Sequence, residues 1–242
     1  MVIFHEKDHR YENTEFPELE YISSTTLVGL HKPKFEAYKI AGFVAKKRGI
    51  TREEVLAEWD ATRDFACEKG TLIHKFMEDH INGLPEPDNK FVKGLIKSYD
   101  DFVEEKIKPT KTNAEVLVHD ELNEYIGIAG LVDIIWEFDD DTFMIGDYKT
   151  NKQFKFYDPY RAKLKPPVEH LQNCEYDIYS LQLSLYALLN EKETGKKWKG
   201  SYILFLSGNE WKPIEVKDLR KEMKDVVNRY YETSLEDLKN KI

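Results

Sequence analysis

Cysteine is scarce, with only Cys67 and Cys174 in 242 residues. Two cysteines do not make a disulfide framework; they fit a reducing compartment and buried or idle thiols. Long apolar runs are missing as well. None approaches the length that spans a bilayer, and no secretory leader opens the chain, so the expectation is a cytoplasmic protein with no membrane partner. There is no internal repeat and no low-complexity segment. Net positive charge is also lacking: the formal value is −9. That argues against indiscriminate coating of nucleic acid but leaves room for a locally basic groove. What the chain does have is 41% hydrophobic residues, enough for one sizeable core and a helical subdomain.

The stretch Gly127–Lys149 organises the rest. Two runs rich in β-branched and aromatic residues, Ile126–Phe138 and Thr142–Lys149, flank the acidic turn Asp139-Asp140-Asp141 and predict a β-hairpin. Strand side chains alternate with period two, so Asp147 and Lys149 share a face, as do Leu131, Asp133 and Ile135. If Phe138 pairs with Thr142 across a three-residue loop, Asp133 lies opposite Asp147. A two-residue turn would put the two aspartates on opposite faces. In the first register two carboxylates and a lysine converge. Paired carboxylates bind a hard cation such as Mg²⁺, and a neighbouring lysine can orient a water, which together suit hydrolysis of a phosphodiester. The competing reading is a hairpin whose charged residues face solvent.

Ahead of the hairpin, residues 1–20 suggest an arm or a short edge strand. Tyr21–Thr26 offers several helix caps, and its hydroxyls could also hold a phosphate; capping is favoured. From Pro33 to Met77 the pattern is helical, broken near Gly49-Ile50-Thr51, with Thr51 and Glu54 matching a capping box. In its first part Lys32, Lys34, Lys39, Lys46, Lys47 and Arg48 outnumber the single acid, Glu36, which fits equally an arch over a nucleic-acid strand and a solvated face. Gly70 and Thr71 would let a helix start approach another backbone closely. His74 and Glu78, four apart, share a helix face. His74 can ligate a metal, although a lone histidine is more often a satisfied core residue. Lys90–Lys106 predicts a core-facing helix. Ala114–Asp120 predicts a strand on which Glu115 is favoured as a surface residue over an outer metal ligand.

Beyond the hairpin, residues 150–168 carry Lys152, Lys155, Arg161, Lys163 and Lys165 against Asp158, interleaved with Phe154, Phe156, Tyr157 and Tyr160. This fits a strand-binding surface, with cations on phosphates and rings on bases; aromatics tucked into the core with lysines outside fit as well. Tyr176–Glu193 predicts a strong helix with Tyr179, Gln182 and Tyr186 on one side. A buried Gln182 needs partners for its amide, which suggests that it supports something. Trp198–Leu206 and Lys212–Val216 predict strands, and Asp218–Leu238 a final helix.

The ordered set Gly70-Thr71-x-x-His74, Gly130-x-x-Asp133, Asp147-Tyr148-Lys149-Thr150 and Gln182-x-x-x-Tyr186 resembles the PD-(D/E)XK nuclease superfamily. Within it, the set looks closest to the RecB-like exonuclease branch with its stand-alone phage and mitochondrial members. The resemblance spans about residues 70–186. It implies an α/β fold with a restriction-endonuclease-like core, a central mixed sheet flanked by helices, and an N-terminal helical segment. In that scheme 1–69 is the arm and helical segment of a single nuclease domain, and 70–242 its core. The resemblance implies Asp133, Asp147, His74 and the Tyr148 carbonyl as ligands of Mg²⁺ or Mn²⁺. Lys149 would position or help deprotonate the attacking water, and Gln182 and Tyr186, with Glu78 nearby, would order the site or touch nucleic acid. Lys152, Lys155, Arg161 and Lys163 would meet DNA. Iron–sulfur members of the branch need four cysteines, so no cluster is expected here, and no G-x-x-x-x-G-K-[ST] phosphate loop marks a motor. The implied activity is a DNA exonuclease acting on single strands or ends in recombination, repair or replication. The expected partners are DNA and a helicase, annealing or replication protein. A phage-encoded cytoplasmic protein fits, since single compact copies of this kind are common in phage genomes. The alternatives are a structure-selective endonuclease and a nucleic-acid-binding or assembly subunit that kept the fold.

Overall fold

The computed structural model describes residues 1–239. In chain order its elements are β1 (Val2–His5), β2 (Arg10–Asn13), β3 (Glu20–Ser23), α1 (Ser24–Gly29), α2 (Ala37–Arg48), α3 (Arg52–Ile81), α4 (Lys90–Phe102), β4 (Lys111–Glu121), β5 (Ile126–Glu137), β6 (Thr142–Lys149), α5 (Glu175–Thr194), β7 (Lys197–Ser207), β8 (Glu210–Glu215) and α6 (Arg220–Lys239). A π-helical turn, Val103–Ile107, extends α4. The first twenty residues, expected as an arm or edge strand, form the hairpin β1–β2 and lead into β3.

The three-residue loop of the central hairpin closes as the first register requires. Asp141 takes a left-handed φ of 56°, the conformation that ends such a loop, and the Phe138 N–H donates to the Thr142 carbonyl at 3.0 Å. The ladder from Glu137–Phe143 to Ile134–Gly146 then carries Asp133 to the level of Asp147.

The sheet runs β3-β5-β6-β7-β8, with β4 antiparallel on the other edge of β5. It is mixed: β3–β5 and β6–β7 are parallel, β5–β6 and β7–β8 antiparallel. One edge of β5 is shared between two strands. Ile126–Ala129 pairs with β3 and Ile134–Glu137 with β6, so residues 130–133 lie in a fork between them. Helices cover both faces. α1, α5 and α6 bury Leu27, Leu181, Leu185 and Met223 with Ile135, Ile145 and Ile203. The end of α3 and α4 bury Ile73, Met77 and Leu95 with Ile134, Trp136 and Leu204. The α/β class and the central mixed sheet between helices are therefore as expected.

Strict alternation fails at the fork. Val132 packs in the same core as Ile135, three residues on, whereas Ile134 and Trp136 pack in the other. At this level Glu115 of β4 has a φ of +49°, and neither Glu115 nor Asp133 takes part in the ladder that continues on both sides of them.

α2 and the first half of α3 form a hairpin outside these layers, held by Ala41, Ala45 and Val55 with Val44, Leu56 and Trp59. Gly49 ends α2 with a left-handed φ of 70°, and Thr51 with Glu54 forms the capping box that starts α3. Gly70 does not start a helix. It lies inside the thirty-residue α3, where a Cβ would sit 3.2 Å from Thr150 Oγ1. The expected approach of a helix start to another backbone is thus not what forms: the contact is mid-helix and to the side chain that follows β6. Between the two cores, residues 60–69 of α3 are exposed on every side.

Gly146 faces Trp136 so closely that a Cβ would stand 2.5 Å from Trp136 Cη2 and 2.9 Å from Ile134 Cδ1. Both partners are fully buried, so overpacking costs about 1–3 kcal/mol. Gly146→Ala is expected to lower the melting temperature by roughly 3–10 °C in a thermal melt. An unchanged melt would show that this interface has slack.

Candidate active site

Four backbone positions of β5 lie in the fork without a strand partner on that edge, and side chains bond at its two ends. Asp133 Oδ2 accepts the Tyr148 N–H at 2.7 Å, which ties the β5–β6 seam beyond its last ladder pair. Ser24 Oγ donates to the Ala129 carbonyl at 3.1 Å, and Ser23 caps α1 by accepting the Thr26 N–H. The hydroxyl cluster thus works as a cap and brace. Gly130 is a glycine because Tyr186 lies over it: a Cβ would meet Tyr186 Cε1 at 2.4 Å and Ser24 Oγ at 2.6 Å. Tyr186 in turn accepts the Gln182 amide at 2.9 Å, and both side chains are buried. Gln182 and Tyr186 brace the floor of the site.

Around the fork stand Asp133 from β5, Asp147 and Lys149 from β6, Glu115 from β4 and His74 from α3. His74 Nδ1 lies 3.4 Å from Asp133 Oδ2, with its ring edge-on to Tyr148 at 5.6 Å. Lys149 is ion-paired with Asp147 Oδ2, and its ammonium lies 4.8 Å from the centroid of the Tyr179 ring. Ligand atoms of His74, Glu115 and Asp133 all lie within 4.8 Å of one another. Asp147, only 2% exposed, stands outside that set, against Lys149.

Of the residues singled out in the sequence, the fold brings together Asp133, Asp147, Lys149 and His74. Tyr148 contributes its N–H to Asp133, and its ring packs in the opposite layer against Trp211. Glu78, one turn beyond His74, pairs with Lys75 and is not in the donor set. Glu115, favoured as a surface residue, is in the site instead. The usable signal was its place on a strand antiparallel to β5; the left-handed backbone that puts it beside Asp133 leaves no mark in the sequence.

The basic loop after β6 divides its aromatics. Phe154 packs among Tyr176, Tyr179 and Phe205, while Tyr157 and Tyr160 are exposed. Lys155 pairs with Glu175 at 3.6 Å, and Lys163 donates to the His170 carbonyl at 2.9 Å. Among the described residues, Lys152 and Arg161 have no side-chain partner.

Three carboxylates at one level of three adjacent strands crowd negative charge. Burial, then Asp133, pushes Glu115 up to about 7. Burial pushes Asp147 up to about 6, against the pull of Lys149 and with the repulsion of Asp133. Burial also works against the charge of Asp133, but His74, Lys149 and the Tyr148 N–H offset it and hold that carboxyl below its ordinary value. Burial disfavours a charged Lys149 too, yet Asp147 and Asp133 more than compensate and raise its pKa. Lys149 therefore remains an ammonium at neutral pH.

No known protein family's profile matches the chain, and no curated protein matches it in sequence. Solved structures that resemble it include SSO0001, at 15% identity and a TM-score of 0.36, the match covering 82% of this chain and 67% of that one. A second, named "Putative exonuclease", from Eubacterium rectale, is 14% identical with a TM-score of 0.40 over 66% of this chain and 62% of that one. No described helix is long and apolar enough to cross a membrane.

A carboxyl whose folded pKa is raised binds more protons folded than unfolded, so stability falls as pH climbs from the unfolded value to the folded one. For Glu115 and Asp147 that window runs from about 4 to about 7. In EDTA, wild type is expected to lose several degrees of melting temperature between pH 5 and 7.5 relative to Glu115→Gln. Parallel curves for the two proteins would refute the crowding.

Proposed function

We propose that the chain is a divalent-metal-dependent deoxyribonuclease, an exonuclease acting on single strands or DNA ends. The observation that carries this is the fork, where half-buried Asp133 and buried Asp147 meet one lysine and one imidazole beside a third carboxylate. Three carboxylates against one fixed ammonium leave negative charge that a cation would neutralise. The donor set, two carboxylate groups and an imidazole within 4.8 Å, is chemically suited to Mg²⁺ or Mn²⁺. His74, Glu115 and Asp133 would hold the ion, with Asp147 and the Tyr148 carbonyl beside them. A bound ion supplies charge stabilisation on the phosphoryl oxygens and a more acidic water.

The chain's own groups do the rest. Lys149, kept protonated between Asp147 and Asp133, donates hydrogen bonds to an attacking water or a phosphate oxygen rather than removing a proton. Gln182 and Tyr186 fix the floor under Gly130, so that Asp133 cannot swing away. Exposed Phe35, Tyr38, Phe43 and Phe65 on the α2–α3 arm, interleaved with Lys39, Lys46 and Lys47, offer stacking and charge to a single strand. α3 connects that arm rigidly to His74, about 33 Å from Arg52 at 1.5 Å per residue. We include as partners DNA and a separate helicase, annealing or replication protein that would feed strands to the site.

The test is digestion of end-labelled linear and covalently closed circular single-stranded DNA with Mg²⁺, Mn²⁺ or EDTA. Metal-dependent loss of the linear form alone is expected. Lys149→Ala and Asp147→Ala are expected to reduce the rate by at least about 10²–10³-fold while retaining the wild-type circular dichroism spectrum. Cleavage of the circle would make the enzyme an endonuclease. Undiminished turnover by Lys149→Ala would refute the assignment of the site, and DNA binding without cleavage would indicate an assembly subunit.

A further inference from the structure

Of the four cations expected to meet DNA in the loop between β6 and α5, Arg161 and Lys163 line one cavity together. That cavity, about 440 Å³, is walled by Tyr157, Asp158, Pro159, Arg161, Lys163 and Gln172. Its volume falls in the range of small-ligand sites.

The loop around it is built rather than loose. Leu164, Val168 and Leu171 are buried, Lys163 pairs with Gln172 as an isolated bridge, and Gln172 Oε1 accepts the Asp158 N–H at 3.1 Å. Asp158 Oδ1 is occupied by the N–H groups of Tyr160 and Ala162, at 2.8 and 3.0 Å. The carboxylate of Asp158 is turned to its own backbone, so it offsets part of the positive charge without pairing directly with Arg161. Lys163 uses one of its three N–H donors on the His170 carbonyl, and the Gln172 amide keeps its NH₂ donors. Arg161 sits at a left-handed φ of 56°, a conformation that costs a non-glycine residue free energy. The fold would be easier with glycine there, so the side chain is retained at a cost to the backbone.

We propose that this cavity is a phosphate subsite for a backbone phosphodiester of a bound strand, with the adjacent base on the exposed ring of Tyr157. Two cations and one carboxylate leave a single positive charge, which matches a phosphodiester better than a doubly charged terminal phosphate. Phe154 links the loop to the catalytic end of β6, since its ring packs 6.1 Å from that of Tyr179, which lies under Lys149. The identity of the ligand as a nucleic-acid strand rests on the nuclease reading above; the anion chemistry of the cavity does not.

The test is fluorescence anisotropy in EDTA, where nothing is cleaved. Labelled single strands carry a 5′-hydroxyl or a 5′-phosphate, and deoxynucleoside monophosphate serves as competitor. The proteins are wild type, Arg161→Gly with Lys163→Ala, and Tyr157→Ala. The double variant is expected to bind both strands at least fivefold more weakly, with the slope of log affinity against log salt reduced by about 0.7 for the one phosphate lost. Its melting temperature should equal or exceed that of wild type, because a glycine in place of Arg161 would relieve the backbone. Tyr157→Ala should weaken binding without changing the slope. A loss confined to the 5′-phosphorylated strand would replace the phosphodiester with a terminal phosphate and overturn that part of the proposal. Unchanged binding by the double variant, with wild type still cleaving DNA, would overturn the subsite and leave the nuclease reading intact. A wild type that cleaves no DNA, yet binds the monophosphate through Arg161 and Lys163, would keep the anion site and remove the nuclease.

Discussion

A β-strand edge that changes partner part-way along must satisfy backbone groups that neither partner reaches. Strand β5 does this between Ala129 and Ile134, and the rest of the structure follows from it. The opening cannot be left as bare unpaired backbone in the interior of a sheet. Asp133 holds its β6 end with a carboxylate that takes the Tyr148 N–H, Ser24 holds its β3 end from α1 through the Ala129 carbonyl, and Tyr186 covers it from α5 against a residue with no side chain. Each of these comes from a different element, so the fork fixes where α1, α5 and β6 must lie. A carboxylate held as a structural hydrogen-bond acceptor is also held in place for chemistry.

The same opening concentrates charge. Glu115, Asp133 and Asp147 belong to adjacent strands at one level, and the ions facing them are Lys149 and a histidine on a helix from the other layer. Buried carboxylates are costly unless each has a partner. Here the partners are shared, which is why Asp147 and Glu115 titrate high while Asp133 titrates low. A folding unit with no further purpose would gain by replacing these groups with apolar ones. They stand on well-packed strands, with Ile134, Trp136 and Ile145 fully buried alongside, at a cost in stability that the proposed site would explain.

Much of this was legible in the chain because the features were local. The hairpin register follows from the loop length and the hydrophobic runs, and Thr51 with Glu54 marks the start of α3. Gln182 was suspect because an amide on an apolar helix face needs a partner, and it has one in Tyr186. Other features depend on contacts distant in sequence. Gly70 resembles a helix start because glycine is unfavourable inside a helix; only the proximity of Thr150 explains it there. Glu115 was unreadable as a site residue because its position depends on a left-handed backbone within a strand. The parallel pairing of β3 with the first third of β5, which creates the fork, joins residues about a hundred positions apart. The aromatics of the basic loop could not be apportioned in advance, because Phe154 is drawn inward by rings on α5 and β7 that no local period reveals.

An acidic chain can still attract a polyanion if its cations are segregated. Here one basic run, Lys32–Arg48, leads into and through α2, and a second, Lys152–Lys165, follows β6; α3 then carries the chain from the first run to His74, and Phe154 packs against Tyr179 from the second. The fork itself is negative. A strand drawn by either basic segment would meet repulsion at the carboxylates unless a cation intervened, so the electrostatics that would collect a strand and those that would hold a metal are complementary.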